Sequence, residues 1–259
     1  MNLTDSDTLK FMRGSPVFLS DICAVYCVTL GEIVDLGYEK FQQYLSVLTS
    51  GKPVAQKKNS EFNEMLDKIT DFQYFLLLCN MDAEMNNLAR GAFQFFTHET
   101  NIIFSLDPAQ IIVGPLEEKH IIDEDNFYDL QYLLKRMYFL EQDGEEIRIN
   151  KDDDPMTVRL KKQMIANREK VRRAKAKKAA REKTNTQFSD LLGSLTLNHC
   201  NLNMANIWDI TYYAFQDQLK RMGWRDQFDI NNRAALAGAN IKKNQLKHWI
   251  RSITDSDKS

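Results

Sequence analysis

The stretch TLGEIVDLGYEKFQQYLSVLTSG, residues 29–51, carries the clearest helical pattern in the first half of the chain. Thr29 and Glu32 have the spacing of a capping box, in which each side chain hydrogen-bonds the other residue's backbone N–H. Apolar residues then recur at three- and four-residue steps until Gly51 and Pro53, which are typical of a helix end. These apolar positions are Ile33, Leu36, Phe41, Tyr44, Leu45 and Leu48. The stretch therefore predicts one amphipathic helix with one face in a core.

The segments around this helix predict a mixture of helices and short strands. Residues 15–30 are rich in β-branched and aromatic side chains without helical periodicity, which predicts one or two short strands. Helical patterns follow at residues 62–79 and 82–98. Short apolar runs broken by Asp-Pro and Gly-Pro predict two or three small strands within residues 101–122. A further amphipathic helix is predicted at residues 126–140.

The last part of the chain is predicted to be helical. In NIWDITYYAFQDQLKRMGW, residues 206–224, large apolar side chains recur at steps of 4, 3, 4 and 3, which places them on one helical face. They are Trp208, Tyr212, Phe215, Leu219 and Met222. A second helix is predicted at residues 226–237, ended by Gly238, and a third at residues 244–253.

Composition favours the same fold class. Hydrophobic residues make up 43% of the chain, which is enough for a core, while ten Gly and five Pro are too few for a turn-rich all-β protein. We therefore expect a mainly α-helical α+β protein. Its predicted parts are an N-terminal domain with a few short strands at residues 1–150, an acidic-to-basic connector helix at residues 151–186, and a small C-terminal helical domain at residues 187–259.

The charge distribution is the most unusual feature of the sequence. Residues 159–183 contain twelve Lys or Arg and two Glu, a net charge of +10, whereas the other residues contain 22 basic and 34 acidic side chains, a net charge of −12. Asp154 and Pro155 form a good helix start, so residues 155–183 predict a helix about 43 Å long. Its apolar residues are too few for a buried stripe or a heptad seam. We expect a solvated connector helix.

Three interpretations of the basic helix remain open at this stage. Charge runs are most often solvated surfaces. Nucleic-acid binding needs basic residues, often with aromatic side chains for stacking, but no aromatic residue lies between Phe139 and Phe188. The third interpretation is pairing with acid, either residues 141–154, which carry seven acids and two bases, or a partner protein. Because the rest of the chain has a net charge of −12, that partner can also be a second copy of the chain.

Candidate partner-binding residues come from the basic helix and from the aromatic C-terminal part. They are Arg168, Arg172, Arg173, Lys177, Lys178, Trp208, Tyr212, Phe215 and Trp249. Ordinary core packing is the favoured interpretation of Trp208, Phe215 and Leu219 taken individually.

No enzymatic motif is readable in the chain. Nucleophile elbows, zinc-protease helices and glycine-rich phosphate loops are absent from the sequence, and the four histidines are far apart. Cys23, Cys27, Cys79 and Cys200 lack a CxxC pair, so buried reduced thiols are a better interpretation than a metal site. We expect a protein that is not an enzyme and that holds no cofactor or metal.

The sequence also predicts a cytoplasmic protein. No apolar run reaches the roughly 18–20 residues that a membrane-spanning helix needs. The N-terminal stretch MNLTDSDTLKFMRGSP lacks the apolar core of a signal peptide.

Two stretches resemble proteins of phage tail-gene clusters. They are FMRGSPVFL with VTLGEIVDLGYEKFQQYLSVLT near the start, and NIWDITYYAFQDQLKRMGWRDQFDINNRAALAGANIKKNQLKHWIRSI at the end. Together they cover roughly half of the chain. In these two stretches the chain is similar to proteins encoded between the tail-tube and tape-measure genes of phages and prophages of Gram-positive bacteria. Proteins encoded at that position are usually taken to be tail assembly chaperones.

The resemblance implies a role in assembly and no site residues, because its motifs are structural. A tape-measure protein is long, helical and apolar, so its chaperone would bind and solubilise it in the host cytoplasm without an active site. The implied partners are the tape-measure protein, the tail-tube protein and further copies of the chain. The alternatives are a nucleic-acid-binding phage protein that uses residues 159–183, and a structural component of the tail or neck.

Overall fold

In the computed structural model the chain forms a mainly helical α+β fold with two small antiparallel sheets, so the predicted fold class is confirmed. The structure describes residues 3–53, 66, 68–115, 119–140, 154–181, 186–198, 201–241 and 248–250. No helix in this part of the chain combines the length and the apolar character that crossing a bilayer requires.

The described helices are α1 (Asp5–Arg13), α2 (Leu30–Leu36), α3 (Tyr38–Thr49), α4 (Asp71–Met81), α5 (Ala83–Thr97), α6 (Glu124–Met137), α7 (Pro155–Arg181), α8 (Phe188–Asn198) and α9 (Tyr212–Leu236), with a 3₁₀ turn at Ile207–Asp209. The strands are β1 (Val17–Leu19) and β2 (Cys23–Val25), which form one sheet, and β3 (Ile102–Leu106), β4 (Ala109–Val113) and β5 (His120–Ile122), which form the other. The strands predicted at residues 15–30 and 101–122 are thus confirmed.

The helix predicted at residues 29–51 is interrupted once. Its capping box is present, because the Glu32 N–H donates to Thr29 Oγ1 over 3.2 Å and the Thr29 N–H to Glu32 Oε2 over 2.7 Å. Gly37, however, has a φ of +92°, which no helical residue adopts, and it separates α2 from α3. The prediction of a single helix is therefore wrong at Gly37.

The opposite difference occurs near the C-terminus. The helices predicted at residues 206–224 and 226–237 are one continuous helix, α9. Gly223 stays helical within it, since a glycine costs only about 1 kcal/mol in a helix interior and the first turns of α9 are held by the buried Tyr212, Tyr213 and Phe215. Gly238, with a φ of +87°, follows the helix end as predicted. Of the third predicted helix, residues 248–250 are not helical, and the others lie outside the described residues.

The three-stranded sheet has one buried and one open face. Phe104 pairs with Ile111, which pairs with Ile122, and all three side chains are buried. α4 packs on this side, where the Phe75 ring meets Phe104 edge-on at 5.7 Å between centroids. The next row, Ile103, Ile112 and Ile121, points to the other face because strand residues alternate.

An aromatic cluster around Phe41 forms the centre of the core. The rings of Tyr138 and Tyr212 lie 5.5 Å from Phe41, and Phe96 lies 6.3 Å away. The Tyr138 hydroxyl donates to the Tyr26 carbonyl over 3.2 Å and accepts the Val28 N–H over 3.1 Å, so this buried polar group is satisfied. Burial raises the pKa of Tyr138 well above its usual value. The cluster joins α3, α5, the end of α6 and α9.

Backbone hydrogen bonds connect the beginning of the chain to α9. The Tyr212 N–H donates to the Val28 carbonyl and the Leu30 N–H to the Ile210 carbonyl, each over 2.9 Å, which makes an antiparallel bridge between Thr29 and Thr211. Residues of α8 and α9 share one hydrophobic core with the N-terminal helices. The three-part domain division remains a prediction, but residues on both sides of the basic helix pack together.

The basic helix α7 is exposed along its described face. The Asp154 carboxylate caps it by accepting the Met156 and Thr157 N–H groups over 2.9 and 3.1 Å. Hydrogen bonds from Thr157 lower the pKa of Asp154. Its apolar side chains are left in solvent, with Met156 77% and Leu160 57% exposed. The predicted cap and the solvated character of the helix are confirmed for these residues.

These contacts predict the outcome of limited proteolysis. Among the described residues, α7 should be the first segment that trypsin cuts, because it is exposed and rich in Lys and Arg. The two fragments should still co-elute at the position of the intact chain in size-exclusion chromatography, since the Thr29–Thr211 bridge and the core hold them together. They should separate only in denaturant. Separation in native buffer, or resistance of α7 to trypsin, would contradict this arrangement.

The close approach of α3 and α5 gives a test of the packing. A Cβ added at Gly91 would lie 2.9 Å from Cζ of Tyr44, which is 7% exposed and has little room to move. Gly91→Ala should therefore lower the free energy of unfolding by about 1–3 kcal/mol, measured by urea denaturation. Gly223→Ala is the matched control, because nothing lies within 4 Å and alanine is the better helix former.

A second substitution identifies the cause of this loss. Adding Tyr44→Phe to Gly91→Ala removes the hydroxyl that the new methyl group meets first, and it should recover part of the lost stability. Equal stability of the Gly91→Ala and Gly223→Ala variants would refute the predicted contact.

Candidate partner-binding surface

A groove between α8 and α9 lies near the predicted C-terminal residues. Its volume is about 190 Å³, and Trp249 forms one of its walls. The lining combines apolar side chains with two arginines and two amides: Leu195, Met222, Trp249, Arg221, Arg225, Asn198 and Gln218. We call these seven residues the C-terminal groove.

The core holds both helices of the groove in place. Thr211 caps α9 by accepting the Ala214 N–H over 3.1 Å. At the start of α8, the Phe188 ring stacks on Tyr38 at 4.5 Å and meets Phe215 edge-on at 5.5 Å. The first turns of α8 and α9 are therefore fixed by aromatic contacts, and the groove lies farther along both helices, where burial decreases.

Arg221 is oriented by a neighbouring carboxylate. Its Nε donates to Asp217 Oδ2 over 2.8 Å, and the Asp217 side chain is 7% exposed while that of Arg221 is 34% exposed. An ion pair one helical turn apart restricts the orientation of the arginine. Arg225 Nε lies 3.7 Å from Asp226 Oδ1, and both side chains are about half exposed. The groove therefore presents two arginines, each beside a carboxylate.

Gln218 contributes a hydrogen-bond acceptor that has no partner in the described part of the chain. Its Oε1 atom is buried, and no described residue donates to it. An unsatisfied buried polar group costs about 1–3 kcal/mol. The Gln218 side chain is one of those that line the groove.

Trp249 reaches the groove from the end of the described chain. The His248 ring stacks on Trp249 at 5.7 Å and lies 5.2 Å from the Phe228 ring of α9. The Ile250 N–H donates to His248 Nδ1 over 3.2 Å. These contacts place Trp249 against the same side of α9 as Met222.

The four aromatic candidates from the sequence occupy different environments. Phe215 is fully buried and Tyr212 is 8% exposed, so both belong to the core and offer a partner little surface. Trp208 lies in the 3₁₀ turn, half-buried, and its Nε1 donates to the Met204 carbonyl over 2.8 Å. The core interpretation therefore holds for Phe215, and among the four only Trp249 lines the groove.

The five basic candidates all lie on α7. They are Arg168, Arg172, Arg173, Lys177 and Lys178, and their backbone is helical as predicted. Their side chains lie outside the described part of the structure. Their role as partner-binding residues remains a prediction from the sequence.

The groove contains residues that the sequence analysis did not select. Gln218, Arg221 and Leu195 were missed, although the Asp217–Arg221 spacing of four residues is a readable helical ion-pair signal. Gln218 gives no such signal, because only the three-dimensional structure shows that its Oε1 atom is buried without a donor among the described residues.

The cysteines expected to be buried thiols are buried where the structure describes them. Cys23, Cys27 and Cys79 are free and buried, and burial raises the pKa of each thiol to about 12. Such thiols are protonated and unreactive at neutral pH. Cys200 lies outside the described residues. Within the described ranges, no group of three or more His, Cys, Asp or Glu side chains is placed to hold a metal ion.

A second cavity, of about 280 Å³, lies among α3, α4 and α5. Phe75, Leu78, Met85 and Leu88 give it a mostly apolar wall. The described residues provide no charged group in its lining and no unpaired polar atom there, so the C-terminal groove is the better candidate for specific binding.

Comparison with known proteins connects this region to phages. Residues 176–254 match the family model of the YomV second domain, a phage-type protein family. The match covers under a third of the chain and includes the end of α7, all of α8 and α9, and Trp249. No curated protein and no solved structure matches the chain.

Proposed function

We propose that this protein is a non-enzymatic phage assembly factor, a tail assembly chaperone that binds and solubilises the tape-measure protein in the host cytoplasm. The phage-type match over residues 176–254 supports the phage part of this proposal. The observation that carries the binding part is the C-terminal groove, which lies inside the matched region and includes Gln218, whose buried Oε1 atom has no partner among the described residues.

The groove has the chemistry of a helix-binding site. An apolar side chain of a client helix can contact Leu195, Met222 and Trp249, while an acidic residue one turn away can pair with Arg225. A client amide or hydroxyl group within reach of Gln218 Oε1 would satisfy the acceptor. Each of these contacts is available to an amphipathic helix, the form in which an apolar, helical client presents its surface.

The basic helix gives this proposal a second element. The +10 charge of residues 159–183 would attract an acidic client over a distance of about 10 Å, and it would mainly increase the association rate. The contacts that keep the client bound would come from the C-terminal groove. The absence of acid–base, nucleophile and phosphate-loop motifs in the sequence supports a role in binding and not in catalysis.

Gln218 provides a test that separates binding from stability. Gln218→Leu removes the unpaired acceptor at similar volume, so the free energy of unfolding should rise by about 1 kcal/mol. Co-purification of a co-expressed tape-measure protein should nevertheless decrease several-fold, because the client donor loses its acceptor. A residue with a purely structural role would not change the two quantities in opposite directions.

Trp249→Ala and Ile230→Ala complete this experiment. Trp249→Ala removes a groove wall and should also lower client solubility, whereas Ile230 is 62% exposed on α9 outside the groove and its replacement should have no effect. Unchanged client solubility in the Gln218→Leu and Trp249→Ala variants would refute the groove as the client site.

Charge reversal on α7 tests the nucleic-acid alternative. Replacing Arg172, Arg173, Lys177 and Lys178 by Glu should slow client association and leave the bound complex largely intact. A helix that contacts six to ten phosphates would instead bind DNA and lose about 10³–10⁵ in affinity between 50 and 200 mM salt. Tight DNA binding that the reversal abolishes, with the rate of client association unchanged, would establish a nucleic-acid function for α7 in place of a role in client binding.

A further inference from the structure

A regular stripe of side chains on α7 is open to solvent. Leu160, Met164, Asn167, Val171 and Ala174 recur at steps of 4, 3, 4 and 3, and all five are exposed. Leu160, Met164 and Val171 are 57%, 44% and 55% exposed, and no other described element packs extensively against α7. This spacing is that of a two-stranded coiled-coil seam. An asparagine and an alanine occupy two of the five positions, so the apolar residues alone do not reveal the seam.

We propose that this seam, Leu160 to Ala174, pairs with the same seam of a second copy of the chain in antiparallel orientation, with Asn167 facing Asn167. The midpoint of the 27-residue helix lies next to Asn167, so an antiparallel pair centred there overlaps along its whole length. The pairing is independent of the C-terminal groove and uses none of its residues.

Side-chain size supports the antiparallel orientation. Around Asn167, Leu160 of one copy lies opposite Ala174 of the other, and Met164 lies opposite Val171. Large residues thus face smaller ones, which fills a narrow seam evenly. A parallel pair would place Ala174 opposite Ala174 and leave that end of the seam without contact.

Charge supports the same orientation. Residues 155–167 carry three basic side chains, a net charge of +3, while residues 168–181 carry eight basic and one acidic side chain, a net charge of +7. The segment that precedes the helix, residues 141–154, carries seven acids and two bases, a net charge of −5. In an antiparallel pair, residues 168–181 of one copy lie beside the less basic residues 155–167 of the other copy, which follow the acidic segment. In a parallel pair, residues 168–181 of both copies, each with a net charge of +7, lie side by side.

Asn167 fixes the register of the pair. Across the two-fold axis its amide can donate to the carbonyl oxygen of the other copy and accept in return. A single polar residue in a coiled-coil seam specifies register and number of helices at some cost in stability. A second copy supplies this matching amide at the required place, which an unrelated apolar helix would not.

The mass of the intact protein in solution tests the pairing. Light scattering over a concentration series should show a reversible dimer of the 30.2 kDa chain. Met164→Gln alters the seam twice per dimer and should raise the dissociation constant about tenfold or more. Ala166→Gln, exposed on α7 outside the seam, is the matched control and should leave it unchanged. A monomer at all concentrations, or a dimer that nuclease treatment dissociates, would overturn the proposal.

Disulfide cross-linking tests the orientation. In a Cys200→Ser background, chains with Leu160→Cys should cross-link to chains with Ala174→Cys, and neither should cross-link to itself. In the antiparallel pair two copies of residue 160 lie about 20 Å apart, far beyond the 3.5–4.5 Å between Cβ atoms that a disulfide spans. Self-cross-linking of either single variant would establish a parallel pair, and no cross-linking in the mixture would exclude the seam.

Discussion

The antiparallel bridge between Thr29 and Thr211 is the constraint on which the rest of the structure depends. Both residues are helix N-caps, so two backbone hydrogen bonds of 2.9 Å fix the starting points of α2 and α9 relative to each other. Each bond contributes only about 1 kcal/mol. Their larger effect is to set the position of Tyr212, whose ring then joins the cluster around Phe41 and Tyr138.

Local signals in the sequence were enough to predict most elements. The Thr29–Glu32 capping box and the Asp154 cap each identify a helix start, because the bonds involved span only a few residues. The break at Gly37 and the continuity at Gly223 could not be told apart in this way, since both are glycines within helical patterns. Their backbone conformations differ: Gly37 has a φ of +92° and separates α2 from α3, whereas Gly223 is helical, and an added Cβ would meet nothing within 4 Å at either position.

The candidate site was predictable only in part, and α9 explains why. Its apolar face starts in the core at Tyr212 and Phe215 and ends near the solvent at Met222, so a uniform sequence pattern covers two environments. The bridge to Thr29, which the sequence does not reveal, determines where this transition occurs. Gln218 lies at the transition, where its Oε1 atom is buried while the side chain lines the groove.

The same helix can carry a strong positive charge and a self-pairing seam because the two act over different distances. Repulsion between two helices of net charge +10 extends over roughly 10 Å in moderate salt, while the contacts of Leu160, Met164 and Val171 act only at van der Waals separation. Salt therefore affects the proposed interactions in opposite directions. It weakens the attraction of an acidic client to α7, and it screens the repulsion that opposes pairing of two copies. A dimer joined through α7 would hold two C-terminal grooves, and a long client with repeated helical segments could engage both, which raises the overall affinity without any new contact.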